Sequence, residues 1–97
     1  MKTLKAIKNL ISTKKELLEK KYHIKTLGIF GSYSRGKANA KSDLDVLVEF
    51  SHPPTLFKFI ELERQLSREL GIKVDLVTRN ALKPLMKKTV LNETIFI

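Results

Sequence analysis

The chain has no cysteine, which excludes a disulfide framework, a thiolate metal site and a cysteine nucleophile. It also has no apolar run approaching the roughly 18 residues needed to span a bilayer, so no membrane-spanning helix is expected. The start, Met1-Lys2-Thr3-Leu4-Lys5, is basic, but lysines interrupt the residues after it. Without the apolar core of a signal peptide, the expected location is cytoplasmic. Histidine is scarce: His23 and His52 have no partner at metal-ligand spacing and read as strand-entry and loop residues. No repeat and no linker interrupts the chain. Its 97 residues are read as one domain, 1–97, with a single modest core.

Positive charge is in excess. Nineteen basic residues face ten acidic ones, for a net charge of +9. That balance favours polyanions such as nucleotides or nucleic acid, or an acidic protein partner. Much of it also fits lysine-rich helix faces that keep a protein in solution.

Helical spacing of Leu4, Ile7, Leu10, Ile11, Leu17 and Leu18 predicts an amphipathic helix over residues 3–21. Ile24, Leu27, Ile29 and Phe30 read as a buried strand that ends at Gly31. Residues 32–36 form a turn or a single helical turn, and the loop runs to Ser42. Alternation over 44–50 predicts a second strand, with Leu44, Val46 and Val48 in the core and Asp43 and Asp45 together on the other face. A helix follows from Leu56 to Leu70, carried by Leu56, Phe59, Ile60, Leu66 and Leu70, with Gly71 as its cap. Phe57 and Phe59 read as packing residues. Ile72–Thr78 is a third strand. Asn80 caps a last helix over 81–92, with Pro84 in its first turn. The apolar tail Thr94-Ile95-Phe96-Ile97 is a closing strand or a contact for another chain. The fold class is α+β, close to α/β: a small mixed sheet of three to four strands flanked by helices.

One stretch carries chemistry, Gly31 to Asp45, reading G-S-Y-S-R-G-K-A-N-A-K-S-D-L-D. A strand that stops at Gly31-Ser32 and turns exposes backbone N–H groups, and a helical turn after it adds the positive end of its dipole. The Ser32 hydroxyl can donate to a phosphate oxygen. The planar fork of Arg35 matches phosphate oxygens, and Lys37 and Lys41 add diffuse charge. Tyr33 suits either stacking on a base or a surface position in the turn. Asp43 and Asp45 then supply paired carboxylates. Two such charges about 4 Å apart repel by roughly 4 kcal/mol at an effective dielectric of 20, so they call for a cation or a raised pKa. Oxygen ligands beside a triphosphate suit Mg²⁺. Asp75, on the matching face of the next strand, can complete a three-carboxylate cluster for two metal ions, and it is the candidate general base or orienter of an attacking hydroxyl. A Gly-Ser turn alone is common. Combined with the aspartate pair at this separation, it arises by chance on the order of once in a thousand chains of this length.

These residues resemble the signature of the DNA polymerase beta-like nucleotidyltransferase superfamily: Gly31-Ser32, ten residues, then Asp43-Leu44-Asp45. G-S-Y-S-R-G, S-D-L-D-V-L-V and K-V-D-L-V look most like its minimal nucleotidyltransferase (MNT) branch, and the similarity covers nearly the whole chain. The resemblance implies a nucleotidyltransferase fold, with Mg²⁺ at Asp43, Asp45 and Asp75. It implies ATP phosphates held at Gly31 and Ser32, with Arg35 nearby. MNT proteins are often paired with a HEPN-domain RNase toxin as its antitoxin, moving AMP from ATP onto a tyrosine hydroxyl of that toxin.

Three readings compete. The first is this ATP-dependent protein adenylyltransferase antitoxin. The second keeps the enzyme but takes RNA ends or a small-molecule hydroxyl as acceptor. The third is a non-catalytic antitoxin or nucleic-acid binder, for which a carboxylate cluster inside a basic protein has little use.

Overall fold

The computed structural model describes residues 2–97; Met1, the first residue of the basic start, lies outside the described residues. Helix α1 spans Leu4–Tyr22, β1 Ile24–Phe30, β2 Leu44–Phe50, α2 Leu56–Leu70, β3 Val74–Thr78, α3 Pro84–Glu93 and β4 Ile95–Phe96. The strands form one sheet in the order β3-β2-β1-β4. β1 runs antiparallel to both β2 and β4, while β2 and β3 are parallel. A parallel pair needs a long crossover, and α2 supplies it. The apolar tail is thus a closing strand, with Gly28 opposite Phe96 and Ile29 opposite Ile95.

Local chemistry sets the helix ends. Thr3 caps α1 by accepting the Ala6 N–H at 3.1 Å, and Thr55 caps α2 by accepting the Lys58 N–H at 3.2 Å. Gly71 closes α2 in the left-handed region at φ 65°. A Thr cap contributes about 1 kcal/mol. Thr55→Ala is therefore expected to lower the urea-unfolding free energy by about 1 kcal/mol with an unchanged m value. An unshifted midpoint would mean that this cap contributes nothing.

The last helix begins later than its spacing predicts. Asn80 lies in a short 3₁₀ turn, Arg79–Ala81, and caps nothing; α3 starts at Pro84. The cause is Pro84 itself, whose ring disfavours the helical conformation for the preceding residue. Lys83 is accordingly extended, at φ −65° and ψ 142°. Pro84 then occupies the first helical position, where its missing N–H costs no hydrogen bond.

The core joins Ile7, Ile11, Leu18 and Tyr22 of α1 and Leu62, Leu66 and Leu70 of α2 to Leu27, Ile29, Leu44, Val46 and Val48 of the sheet. The Tyr22 hydroxyl donates to Gln65 at 2.7 Å and ties the two helices together. The buried stripes are narrower than the apolar spacing suggests. Leu10 and Leu17 of α1 and Leu56 and Ile60 of α2 are exposed. Phe57, expected to pack, is 88% exposed. On the outer edge of the sheet, the Val74 N–H donates to Ser67 Oγ at 3.0 Å and the Leu76 N–H to Glu63 at 2.9 Å. Two side chains of α2 thereby satisfy donors that an edge strand would otherwise offer to another chain.

Candidate active site

β1 ends at Gly31, where φ reaches +76°. The chain then folds into one helical turn. The Arg35 N–H donates to the Gly31 carbonyl at 3.1 Å, the Lys37 N–H to the Ser32 carbonyl at 2.8 Å, and Ser34 Oγ to the Gly31 carbonyl at 2.9 Å. The N–H groups that open such a turn have no acceptor within it, which makes them available to an anion. Tyr33 is 5% exposed and belongs to the core cluster, so it anchors the turn rather than stacking on a base.

The three aspartates come to the same end of the sheet. Asp43 immediately precedes β2. Asp45 lies opposite Phe30 of β1 and in direct register with Asp75 of β3. Paired residues on adjacent strands share a face, with backbones about 4.8 Å apart, so Asp45 and Asp75 project together. Gly31 is fitted to Asp45: a Cβ on Gly31 would collide with the Asp45 carboxylate. Asp43 is half-exposed with Lys73 Nζ at 3.9 Å, and Asp75 is exposed. Beside them lies a groove of about 580 Å³ lined by Tyr33, Lys41, Ser42, Asp43, Ile72 and Lys73.

Burial pushes the Asp45 carboxyl above its ordinary value, and the negative charges of Asp75 and then Asp43 push it further; Arg35 acts the other way. The aspartates are therefore within Coulombic reach of one another. They do not form a ready cage, since among the described residues no three His, Cys, Asp or Glu converge as a ligand set for an ion. The donor set itself, hard carboxylate oxygens beside a turn with free backbone donors, fits Mg²⁺, which is held by one or two carboxylates plus substrate phosphates.

One residue of the site escaped the motif. Glu93, at the end of α3, accepts the Gly31 N–H at 3.2 Å through Oε1, and Arg35 Nη1 donates to its Oε2 at 3.2 Å and to its Oε1 at 3.4 Å. A signal was present. An acidic residue in the last turn of a helix opposes the macrodipole and calls for a compensating partner.

Comparison with known proteins agrees with this fold. Residues 10–97 match the family model for the nucleotidyltransferase domain. A protein of Methanocaldococcus jannaschii, provisionally named a protein adenylyltransferase, is 47% identical over 98 residues and is matched along the full length of both chains. The protein adenylyltransferase MntA of Thermococcus cleftensis is 43% identical over 97 residues, covering 100% of this chain and 98% of that one. Among solved structures, one provisionally named a minimal nucleotidyltransferase superposes with a TM-score of 0.76 at 33% identity, over 92% of this chain and 93% of the other. A toxin–antitoxin structure with AMP-PNP gives 0.71 at 24% identity, over 87% of this chain and 69% of the other, a likeness of fold. The chain, with its mixed sheet and its turn facing paired carboxylates, belongs to the nucleotidyltransferase domain family.

Proposed function

We propose that the chain is one minimal nucleotidyltransferase domain acting as a protein adenylyltransferase antitoxin, which moves AMP from ATP onto a tyrosine hydroxyl of a HEPN-domain RNase toxin. The observation that carries the reading is the close fit of the Gly31 turn to Asp45, with Asp75 in register beside it. A phosphate turn and a carboxylate cluster in contact serve one substrate that is both polyanionic and metal-bound.

In this reading the backbone donors after Gly31 and the Ser32 hydroxyl hold the ATP phosphates, and Arg35 neutralises their charge. Asp43, Asp45 and Asp75 would hold Mg²⁺. Two such ions would supply charge for the leaving pyrophosphate and activation of the attacking hydroxyl. The tyrosine oxygen attacks the α-phosphorus, the bond to the bridging oxygen of the β-phosphate breaks, and pyrophosphate departs. In this reading Asp75, exposed at the edge of the cluster, orients the hydroxyl or takes its proton. Names of relatives support the protein acceptor: one is named a protein adenylyltransferase and others provisionally so, and one structural neighbour is a tri-AMPylated HEPN toxin in complex with MNT antitoxin. A cytoplasmic setting, where ATP and Mg²⁺ are abundant, goes with this reading. Among the described residues no helix is long and apolar enough to cross a membrane.

The test is incubation with Mg²⁺ and ATP labelled at the α-phosphate, in the presence of a HEPN-domain toxin. Label on a toxin tyrosine, with loss of its RNase activity, is the expected result. Label found only on RNA ends or on a small-molecule hydroxyl would replace the protein acceptor with one of those.

A further inference from the structure

Glu93 sits where a carboxylate is disfavoured twice, at the partial negative charge of a helix C-terminus and among the charges around Asp45. Its position in the fold explains why it is there. The β1–β4 ladder pairs Gly28 with Phe96 and Ile29 with Ile95, and Ile97 N–H donates to Leu27 O at 2.9 Å. Continuing the same register brings Gly31 opposite residue 93. The main chain there is still helical and the ladder does not extend to it, and the Glu93 side chain takes the Gly31 N–H instead. The same carboxylate holds Arg35, and it does so through Nη1 alone. Arg carries five donors in a rigid fork, and among the described residues those on its other nitrogens find no acceptor.

We propose that Glu93 is a positioning residue for the nucleotide, fixing Arg35 and the Gly31 end of the turn so that the remaining donors of Arg35 face the polyphosphate. The inference rests on the nucleotidyl-transfer reading above. Glu93 acts through Arg35: without it, a long flexible side chain must be ordered by the substrate itself.

Glu93→Gln, Arg35→Ala and the double variant distinguish this role. Binding of AMP-PNP with Mg²⁺ is measured by calorimetry, and KM and kcat for AMP transfer are measured separately. Glu93→Gln is expected to weaken AMP-PNP binding and raise KM for ATP about tenfold, the effect of one lost charge-assisted contact, while kcat at saturating ATP changes less than twofold. In the Arg35→Ala background the same substitution adds nothing. Glu93→Asp, which keeps the charge, decides by the same two readouts where Glu93→Gln does not fold. Unchanged or tighter AMP-PNP binding, or effects of the two substitutions that multiply, would overturn the role. Should the unsubstituted protein bind no AMP-PNP, the nucleotidyl-transfer reading falls and this inference with it; binding that ignores Glu93 removes only the inference.

Discussion

Asp45→Asn is expected to reduce AMP transfer on the order of 10³-fold or more, the scale of losing the charge stabilisation a bound metal supplies, yet to leave the folded chain at least as stable as its parent. The second half rests on the surroundings of the carboxylate. Burial and the charges of Asp75 and Asp43 raise its pKa above the ordinary 3.8. For an acid whose pKa is higher in the folded state, the folded chain binds the proton more tightly than the unfolded one. Stability from this group is therefore present at low pH and declines as pH rises from 3.8 through the raised folded value. The asparagine amide carries no such charge, so the variant should lose that decline. Melting temperatures from about pH 3 to 8 check it, a range that spans the titration of a carboxyl with a raised pKa. The parent and variant curves should diverge in the variant's favour as pH rises. A variant that keeps its activity would remove Asp45 from the reaction, and one that melts well below the parent at neutral pH would make Asp45 a structural residue. Neutralisation of the toxin is the third readout. If it survives in the inactive variant, binding alone is the mechanism, and the non-catalytic reading displaces the adenylyltransferase.

Why Asp45 could be found in the sequence, and the contact of Glu93 with Gly31 could not, is a matter of how far apart the interacting parts lie along the chain. Gly31, Ser32, Asp43 and Asp45 are joined by one turn and one loop, and strand alternation alone puts both aspartates on a common face. Asp75 needs one more step, the parallel pairing of β2 with β3, and its register opposite Asp45 follows from two apolar strands joined by a helix. The same locality made the bounds of β1, β2 and α2 legible, since each is closed by a turn, a glycine or a cap. Burial was less so. Apolar spacing gives a face but not its width, and the packing of α1 on the core buries Ile7, Ile11 and Leu18 while leaving Leu10 and Leu17 exposed. Tyr33 and Phe57 reversed their expected roles for this reason: a small turn brought one inward, and an uncovered helix face left the other out. Glu93 meets Gly31 across 62 residues, through the pairing of β4 with β1, which no local pattern announces.

Gly31→Ala is the second large effect, and two separate causes contribute to it. The left-handed backbone at φ +76° costs an L-residue about 1–2 kcal/mol. The new methyl also meets the Asp45 carboxylate, and comparable overpacking costs about 1–3 kcal/mol. Their sum, roughly 2–5 kcal/mol, is a large part of the 5–15 kcal/mol that ordinarily holds a domain folded. If the chain stays folded, it does so by moving Asp45 or opening the turn, and either disrupts the pairing of phosphate turn and carboxylate. Gly36→Ala separates the two causes. Gly36 has nearly the same φ, +70°, but a Cβ there meets nothing within 4 Å. It should therefore cost only the conformational term of about 1–2 kcal/mol and retain transfer. Urea unfolding and initial rates of AMP transfer, measured on both variants, give the comparison. Equal losses of stability and activity would mean that backbone conformation alone makes Gly31 necessary, and that its contact with Asp45 contributes nothing to the site. A Gly31→Ala chain that has lost transfer, beside a Gly36→Ala chain that has kept it, would locate the function in that contact.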